Sequence, residues 1–360
     1  MKPDISVIMS VYNGEEYLEE AIESVRKQTF TNWELIVIND CSKDSTGDIL
    51  AGFAAKDERI KVYTNEVNLK LPASLNKAIS LSSGKYIARM DADDICLPDR
   101  LSKQYEFMEN NEDIALSSCR FMTVKNGVYA SGGAGGRCDS AALRVMLLVA
   151  NPILHPGVIA RAEAMKTFCY DTTCTCTEDL ELWTRMAAEN KKMEILPECL
   201  LIYRLHDKQI TSTTLERQHK EVLEIEKKYY SELFGDMEES LQQFYISGIY
   251  FKEEADICEF LRYSKWLRKI SGKCFDKKDV NYALFEILAE YKRKGVPKLH
   301  ILKAMLSFSP CFIVKEFIRR KKAAEKDIEK CVEKANAEGL IKTAGTKEYP
   351  IFEKKISGVK

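Results

Sequence analysis

Apolar and polar positions alternate along the first ninety or so residues in two different periods. Ile5 to Tyr12 and Trp33 to Asp40 are nearly continuous β-branched and apolar runs, which predicts strands buried on both faces of a sheet. Ile60 to Thr64 is a shorter run of the same kind, and Tyr86 to Met90 is a fourth. Between them the period changes to that of a helix. Glu15 to Gln28 places Tyr17, Leu18, Ala21, Ile22 and Val25 on one face, Ser42 to Thr46 supplies caps for a helix through Asp48 to Ala55, and Ala73 to Leu81 is helical. Strand and helix in strict alternation predict a doubly wound α/β sheet. Farther on, the pattern predicts a helix over 101–108, opened by Pro98 and Asp99, a strand over 114–124 and a helix over 143–148 leading into Asn151-Pro152-Ile153-Leu154-His155-Pro156. Thr177 is the expected N-cap of a helix that begins Glu178-Asp179, and Leu200 to His206 is strand-like. The glycine-rich run Ser131 to Gly136 reads equally as an active-site lid or as a solvated hairpin tip. From Leu215 the pattern is helical only, in segments 215–234, 239–251, 255–270, 280–294, 297–320 and 323–337. This predicts an α/β unit over 1–214, an all-helical appendage over 215–338 and a loose polar tail over 339–360.

Composition adds limits. A chain of 360 residues, 45% hydrophobic, can bury one large core and a smaller second one. Its net charge of −1 carries no signal for nucleic acid as a partner. The charge is uneven: residues 1–214 hold 24 basic and 31 acidic groups, a net of −7, and the remainder is +6. The basic half includes the apolar stretch 301–318 followed by Arg319-Arg320-Lys321-Lys322, which reads either as a helix lying on an anionic membrane surface or as a core helix kinked at Pro310. No secretory signal opens the chain and no charge-free apolar run is long enough to span a bilayer. The twelve scattered cysteines suit a reducing cytoplasm, and Cys174-Thr175-Cys176 lacks the spacing of a metal site. A cytoplasmic protein, with peripheral contact to an anionic membrane as an open addition, is the expectation.

The chemistry concentrates at strand ends. Asp91-Ala92-Asp93-Asp94 packs three carboxylates into four residues after the fourth strand. Such a cluster needs solvent or a cation to offset its repulsion, so it reads either as a polar turn or as a site for Mg²⁺ or Mn²⁺ with a diphosphate. In open α/β sheets ligands sit at the carboxyl ends of strands, and Ser10 to Asn13, Asn39-Asp40 and Asp91 to Asp94 all fall there. A dinucleotide site needs a glycine-rich turn after the first strand, but Ser10 to Glu15 contains one glycine, and no Walker-type loop exists. Glu178 and Asp179 are either ordinary first-turn acids or include a general base, and His206 is either a surface residue or part of a metal shell.

In order and spacing, Ser10-Val11-Tyr12-Asn13, Val37 to Thr46, Asp91-Ala92-Asp93-Asp94, Glu178-Asp179 and Tyr203-Arg204-Leu205-His206 resemble the motifs of the family-2 glycosyltransferases, over roughly residues 3–212. The resemblance implies a GT-A fold and inverting transfer of a sugar from a nucleotide-diphosphate donor, with UDP-sugars first among them, to a hydroxyl of a glycan or lipid-linked acceptor in cell-surface polysaccharide synthesis. It implies that Asp40 and the segment Val11, Tyr12, Asn13 and Glu15 hold the nucleotide, with Asp91 and Ala92 near the ribose. Asp93, with Asp91 and His206, would hold Mn²⁺ or Mg²⁺; Asp179 would be the base, with Glu178 beside it. Lys70 lies in a loop, Asn68 to Ala73, that departs from the small-residue loop such enzymes often have; its ammonium would meet the diphosphate or solvent. Two alternatives remain: a non-catalytic scaffold subunit of a glycan assembly complex, and a sugar-1-phosphate nucleotidyltransferase, which would need a glycine-rich basic loop after the first strand.

Overall fold

The computed structural model of the chain describes residues 2–132, 138–148, 151–174, 176–206 and 215–235, with short stretches at 264–265, 268–269, 275–282, 284–285, 330, 332–335 and 337. The expected helices beyond 235 fall largely outside the described residues, as do the basic segment after 318, the tail from 339 and most of the glycine-rich run.

The elements follow in the order β1 (Ile5–Val11), α1 (Leu18–Arg26), β2 (Trp33–Asn39), α2 (Thr46–Ala54), β3 (Ile60–Thr64), α3 (Leu71–Leu81), β4 (Tyr86–Arg89), β5 (Ile95–Cys96), α4 (Arg100–Asn110), β6 (Ile114–Lys125), β7 (Val128–Gly132) and α5 (Ser140–Met146). A 3₁₀ turn at His155–Gly157, β8 (Ile159–Arg161), α6 (Ala162–Phe168), α7 (Glu178–Ala188), β9 (Lys192–Arg204) and α8 (Leu215–Phe234) complete it. The strands form one mixed sheet in the order β3-β2-β1-β4-β8-β6-β9-β5, with β7 hairpinned onto β6. β3, β2, β1 and β4 are parallel, whereas β8 runs antiparallel to β4 and to β6. β1 therefore has β2 on one side and β4 on the other, and the crevice at the carboxyl ends of these three strands is the topological switch point.

Each central strand is apolar on both faces because each face is covered by helices. Val7, Met9 and Val11 of β1 join Leu35 and Val37 of β2 in a cluster with α1, α2 and α4 residues such as Leu18, Ile22, Leu50 and Leu101. Ile8, Ile36 and Ile38 point the other way, into a cluster with Leu75, Leu143, Trp183 and Tyr229. The second cluster shows that α8 packs as part of the same core: Tyr229 is 1% exposed and its hydroxyl donates to the Arg144 carbonyl. Val332 and Ala335 are buried in a third cluster with Ile95, Leu97 and Ile202, and Lys334 pairs with Asp99.

Several local expectations shift. α1 starts at Leu18, three residues later than its pattern suggests, because Asn13, Gly14 and Glu15 bond to the loop after β2. Pro98 stands before the N-cap of α4, and the Asp99 carboxylate makes no capping bond; it pairs with Lys103 and Lys334. Thr177 holds the N-cap position of α7 but its hydroxyl donates to Glu221 of α8. The hairpin tip is Asn126-Gly127, both at positive φ, while Ser131 and Gly132 belong to β7.

One buried carboxylate ties the amino ends of the strands. Glu34 of β2 is 3% exposed and accepts from the Ser6 hydroxyl of β1, from the Ser83 amide and hydroxyl, and from Lys61 of β3. Burial alone would raise its pKa; the Lys61, Ser6 and Ser83 donors outweigh burial and hold it at about 2. The folded pKa lies below the ordinary carboxylate value, so this stability is present above pH 4.5 and is lost as pH falls toward 2. We expect Glu34→Gln to lower the unfolding free energy at pH 7 by roughly 2–4 kcal/mol. Urea unfolding across pH should show that deficit closing on acidification; a pH-independent deficit would contradict the assignment.

Candidate active site

The switch point collects the acids. β4 is only four residues long, and its pairing with β1 ends at Ile8↔Arg89, so the chain after it is free to turn. That turn carries Asp91, Asp93 and Asp94, each with an oxygen within 4.8 Å of the others. Arg89, the last residue of β4 and 3% exposed, forms a bidentate pair with Asp91, Nη1 lying 2.5 Å from Oδ2. Burial pushes the Asp91 carboxyl up, Arg89 draws it down, and Asp93 adds repulsion, leaving it at about 6. Asp94 is fully buried; Oδ1 accepts from the Arg204 amide, while Oδ2 is buried with no hydrogen-bond partner. Burial and the neighbouring acids raise its pKa well above the usual range.

β9 brings the far end of the chain back to this turn. Arg204 donates from Nε to the Asp93 carbonyl and from Nη2 to Glu20 of α1, and its guanidinium lies over the Tyr17 ring. Two residues later, His206 Nε2 lies 2.9 Å from Asp93 Oδ2. An all-carboxylate oxygen set with one unpartnered buried oxygen fits a hard divalent cation. Asp94 Oδ2 has no partner, Asp91 is shared with Arg89, and His206 meets the cluster through Asp93 Oδ2.

The second acid pair opens α7 and faces the first across Arg89. Glu178 is 6% exposed. Burial, then the Asp179 charge, push its pKa up to about 8. Asp179 is half-buried and accepts from the Leu180 amide at Oδ1 and from Asn151 Nδ2 at Oδ2, both at 2.7 Å. Burial raises its pKa also, but those two donors oppose the rise. Two adjoining carboxylates in unlike settings part their roles: Glu178 keeps a proton and Asp179 ionises first.

The expected donor-side residues occupy the same edge. Asp40 is buried, and three of its acceptor positions are filled, by Asn65 Nδ2, the Leu69 amide and the Lys70 amide. Lys70 is exposed, at positive φ, just before α3. Val11 is buried and its carbonyl accepts from the Asp40 amide, Tyr12 is 52% exposed, and Ala92 is partly buried against the α1 side. Asn13 Oδ1 accepts from Lys43 N and Glu15 Oε2 from Ser45 N, so these two side chains hold loop to loop. Arg89, Arg204 and Asn151 are the contributors that pattern reading does not assign, although an arginine inside an apolar run is a legible signal for the first; Asp94, part of the expected acid cluster, is the one of the three that is fully buried.

With this geometry in hand, comparison with known proteins is informative. The family model described as glycosyl transferase family 2 matches residues 6–155. The "Uncharacterized glycosyltransferase MJ1057" of Methanocaldococcus jannaschii is 34% identical over 220 residues, 60% of this chain and 76% of that protein. The "O-antigen biosynthesis glycosyltransferase WbnJ" of Escherichia coli is 31% identical over 219 residues, 59% of this chain and 83% of the relative. Among solved structures, S. aureus TarS 1-349 in complex with UDP-GlcNAc superposes with a TM-score of 0.54 at 19% identity, covering 94% of this chain and 93% of that one. The fold is that of the GT-A glycosyltransferases. The chain belongs to glycosyl transferase family 2.

If the acid turn holds a divalent ion, millimolar Mn²⁺ should raise the thermal midpoint by a few degrees. Asp93→Asn should remove the rise. No shift in the native chain would rule the ion out of this cluster.

Proposed function

We propose that the chain is an inverting, divalent-metal-dependent glycosyltransferase that moves a sugar from a nucleotide-diphosphate donor, UDP-sugar first, to a hydroxyl of a glycan or lipid-linked acceptor in cell-surface polysaccharide synthesis. The observation that carries this is the pairing of two carboxylate groups, the Asp91/Asp93/Asp94 turn and Glu178-Asp179, around one buried arginine, Arg89. The O-antigen relative supports the polysaccharide setting, and the UDP-GlcNAc complex of the TarS structure supports a UDP-sugar donor.

In this reading the residues after β1, Val11 to Glu15, and the loop clamped by Asp40 frame the nucleotide, with Asp91 and Ala92 toward the ribose. Lys70, exposed beside that loop, meets the diphosphate. Asp93 and Asp94, with Asp91 and His206 adjoining, would hold the ion, which when bound offsets the charge that grows on the leaving diphosphate. Asp179 is the base: it takes the proton of the acceptor hydroxyl as that oxygen forms its bond to the anomeric carbon and the sugar–phosphate bond breaks on the opposite side. Glu178, holding its proton, is a hydrogen-bond donor at the same edge. The domain limits follow the same reading: residues 1–214 carry all the site groups, and α8 braces α7 through Glu221. Among the described residues no helix is long and apolar enough to cross a membrane. The eight described cysteines are free thiols, which supports work in a reducing compartment on the cytoplasmic face, with the basic C-terminal half toward anionic lipid.

The test is UDP binding by calorimetry with Mn²⁺ and with chelator, followed by UDP release from a panel of UDP-glucose, UDP-galactose, UDP-GlcNAc, UDP-GalNAc and UDP-glucuronate. Metal-dependent binding, and turnover that Asp179→Asn lowers by about 10²–10⁴-fold, are expected. Firm UDP binding with no turnover of any donor would favour the scaffold reading. Pyrophosphate exchange with UTP would favour the nucleotidyltransferase.

A further inference from the structure

The segment Asn151 to Gly157 takes no part in the chemistry above, yet it touches both acids of α7. Asn151 Nδ2 donates to Asp179 Oδ2 at 2.7 Å. Four residues on, His155 Nδ1 lies 3.6 Å from Glu178 Oε1, and its Nε2 lies 2.7 Å from the Tyr170 hydroxyl. We propose that this segment is the positioning element of the reaction, with Asn151 aiming the Asp179 carboxylate at the acceptor hydroxyl and the His155–Tyr170 pair holding Glu178 in place. The proposal rests on Asp179 being the base.

The roles of the polar atoms follow from their surroundings. Ile153 N donates to Asn151 Oδ1 at 3.3 Å, which turns the amide so that Nδ2 meets Asp179. The other Asp179 oxygen is fixed by the Leu180 amide. Two of the carboxylate's roughly four acceptor positions are thus used for orientation, and the rest stay open for a substrate proton. Burial and the Arg89 charge keep His155 neutral, so it has a single N–H. Burial likewise keeps the proton on Tyr170, which therefore donates to Nε2. The imidazole proton then sits on Nδ1, facing Glu178.

The segment is rigid enough to aim. Pro152 and Pro156 restrict its backbone. Gln104 Nε2 donates to the Gly157 carbonyl and Ser118 Oγ to the Leu154 carbonyl. A Cβ at Gly157 would lie 3.1 Å from Cys119 Sγ and from Leu154 Cδ2, so a larger residue there would make the neighbouring side chains give by a few tenths of an ångström. His155 also packs edge-on against Trp183 of α7. Helix and segment therefore form one packed unit, and the acids of α7 are aimed by groups outside their own helix.

The experiment compares Asn151→Ala, Tyr170→Phe and Asp179→Asn with the native chain. UDP release from the panel of UDP-sugars gives kcat and donor KM, calorimetry with UDP and Mn²⁺ gives donor affinity, and thermal midpoints are recorded. Asn151 is exposed, so its replacement leaves the core intact. Tyr170→Phe removes one oxygen from a buried site and tests the second arm without emptying the His155 position. Asn151→Ala should lower kcat by about 10- to 100-fold with donor KM and UDP affinity unchanged, and Tyr170→Phe should act the same way by a smaller factor. On the Asp179→Asn background, Asn151→Ala should have no further effect. If Asp179→Asn is inactive while Asn151→Ala keeps its native kcat, the aiming role is wrong and the base assignment stands. If Asp179→Asn turns over like the native chain, both fall. If Asn151→Ala weakens UDP binding in step with its loss of rate, the residue shapes the donor pocket and the proposal is overturned.

Discussion

Three carboxylates in one turn, at the end of a four-residue strand, are the constraint around which the rest is arranged. Left alone, Asp91, Asp93 and Asp94 would repel one another, most of all at the buried Asp94. The fold answers from below, from the side and from afar. Arg89 pairs with Asp91 from inside the sheet. Arg100, fully buried, is held by the carbonyls of Arg89 and Val158, by Gln104 and by two sulfurs, and so ties the end of β4 to α4 beneath the turn. Arg204 and His206 arrive along a 13-residue strand from a point more than 100 residues later. The length of β9 makes sense on these terms, because a shorter strand would not return the chain to the acid turn.

The same arginine links the two halves of the site. Arg89 lies close enough to Glu178, Asp179, His155 and Tyr170 to act on the charge state of each. A buried cation serving two groups of acids lets them approach without neutralising either completely. It also explains how Glu178 and Asp179 differ despite being neighbours in sequence. Asp179 has two hydrogen-bond donors of its own, whereas Glu178 is the more deeply buried and has a neutral imidazole nearby. Ionisation favours the better-solvated and better-bonded acid.

Much of this was legible in the sequence, for a definite reason. Strands covered on both faces must be apolar at every position, so β1, β2 and β4 announce themselves, and so does the polar break where each one ends. β5 and β8, two and three residues long, are too short for any period to show. The β6–β7 hairpin did have a signal in Asn126-Gly127, whose positive φ values suit a tight turn, but the glycine-rich run a few residues later drew the reading instead. Among site residues, Asp91, Asp93 and Asp94 follow from charge crowding at a strand end, while Glu178, Asp179 and His206 are open readings on the residues alone and receive roles only from the family resemblance. Asp94 sits in the same cluster, but its burial depends on β9 and is invisible locally. Arg89 stands out as an arginine inside an apolar run, but its partners, like those of Asn151, are set by tertiary packing.

At the edge formed by β1, β2 and the loop before α3, side chains expected to face a ligand make bonds within the protein. Asp40 stands at the switch point, where a nucleotide contact is expected, but three of its bonds go to Asn65, Leu69 and Lys70. Asn13 and Glu15 likewise spend bonds on Lys43 and Ser45. These groups shape backbone before they can touch a ligand. A loop held in one form by such bonds would lose less entropy on meeting a ligand. Tyr12 and the Lys70 side chain, by contrast, are exposed at this edge. The acid turn follows the same logic: its carboxylates are held by Arg89, Arg204 and His206, and Asp94 Oδ2 is the buried oxygen that this arrangement leaves without a partner.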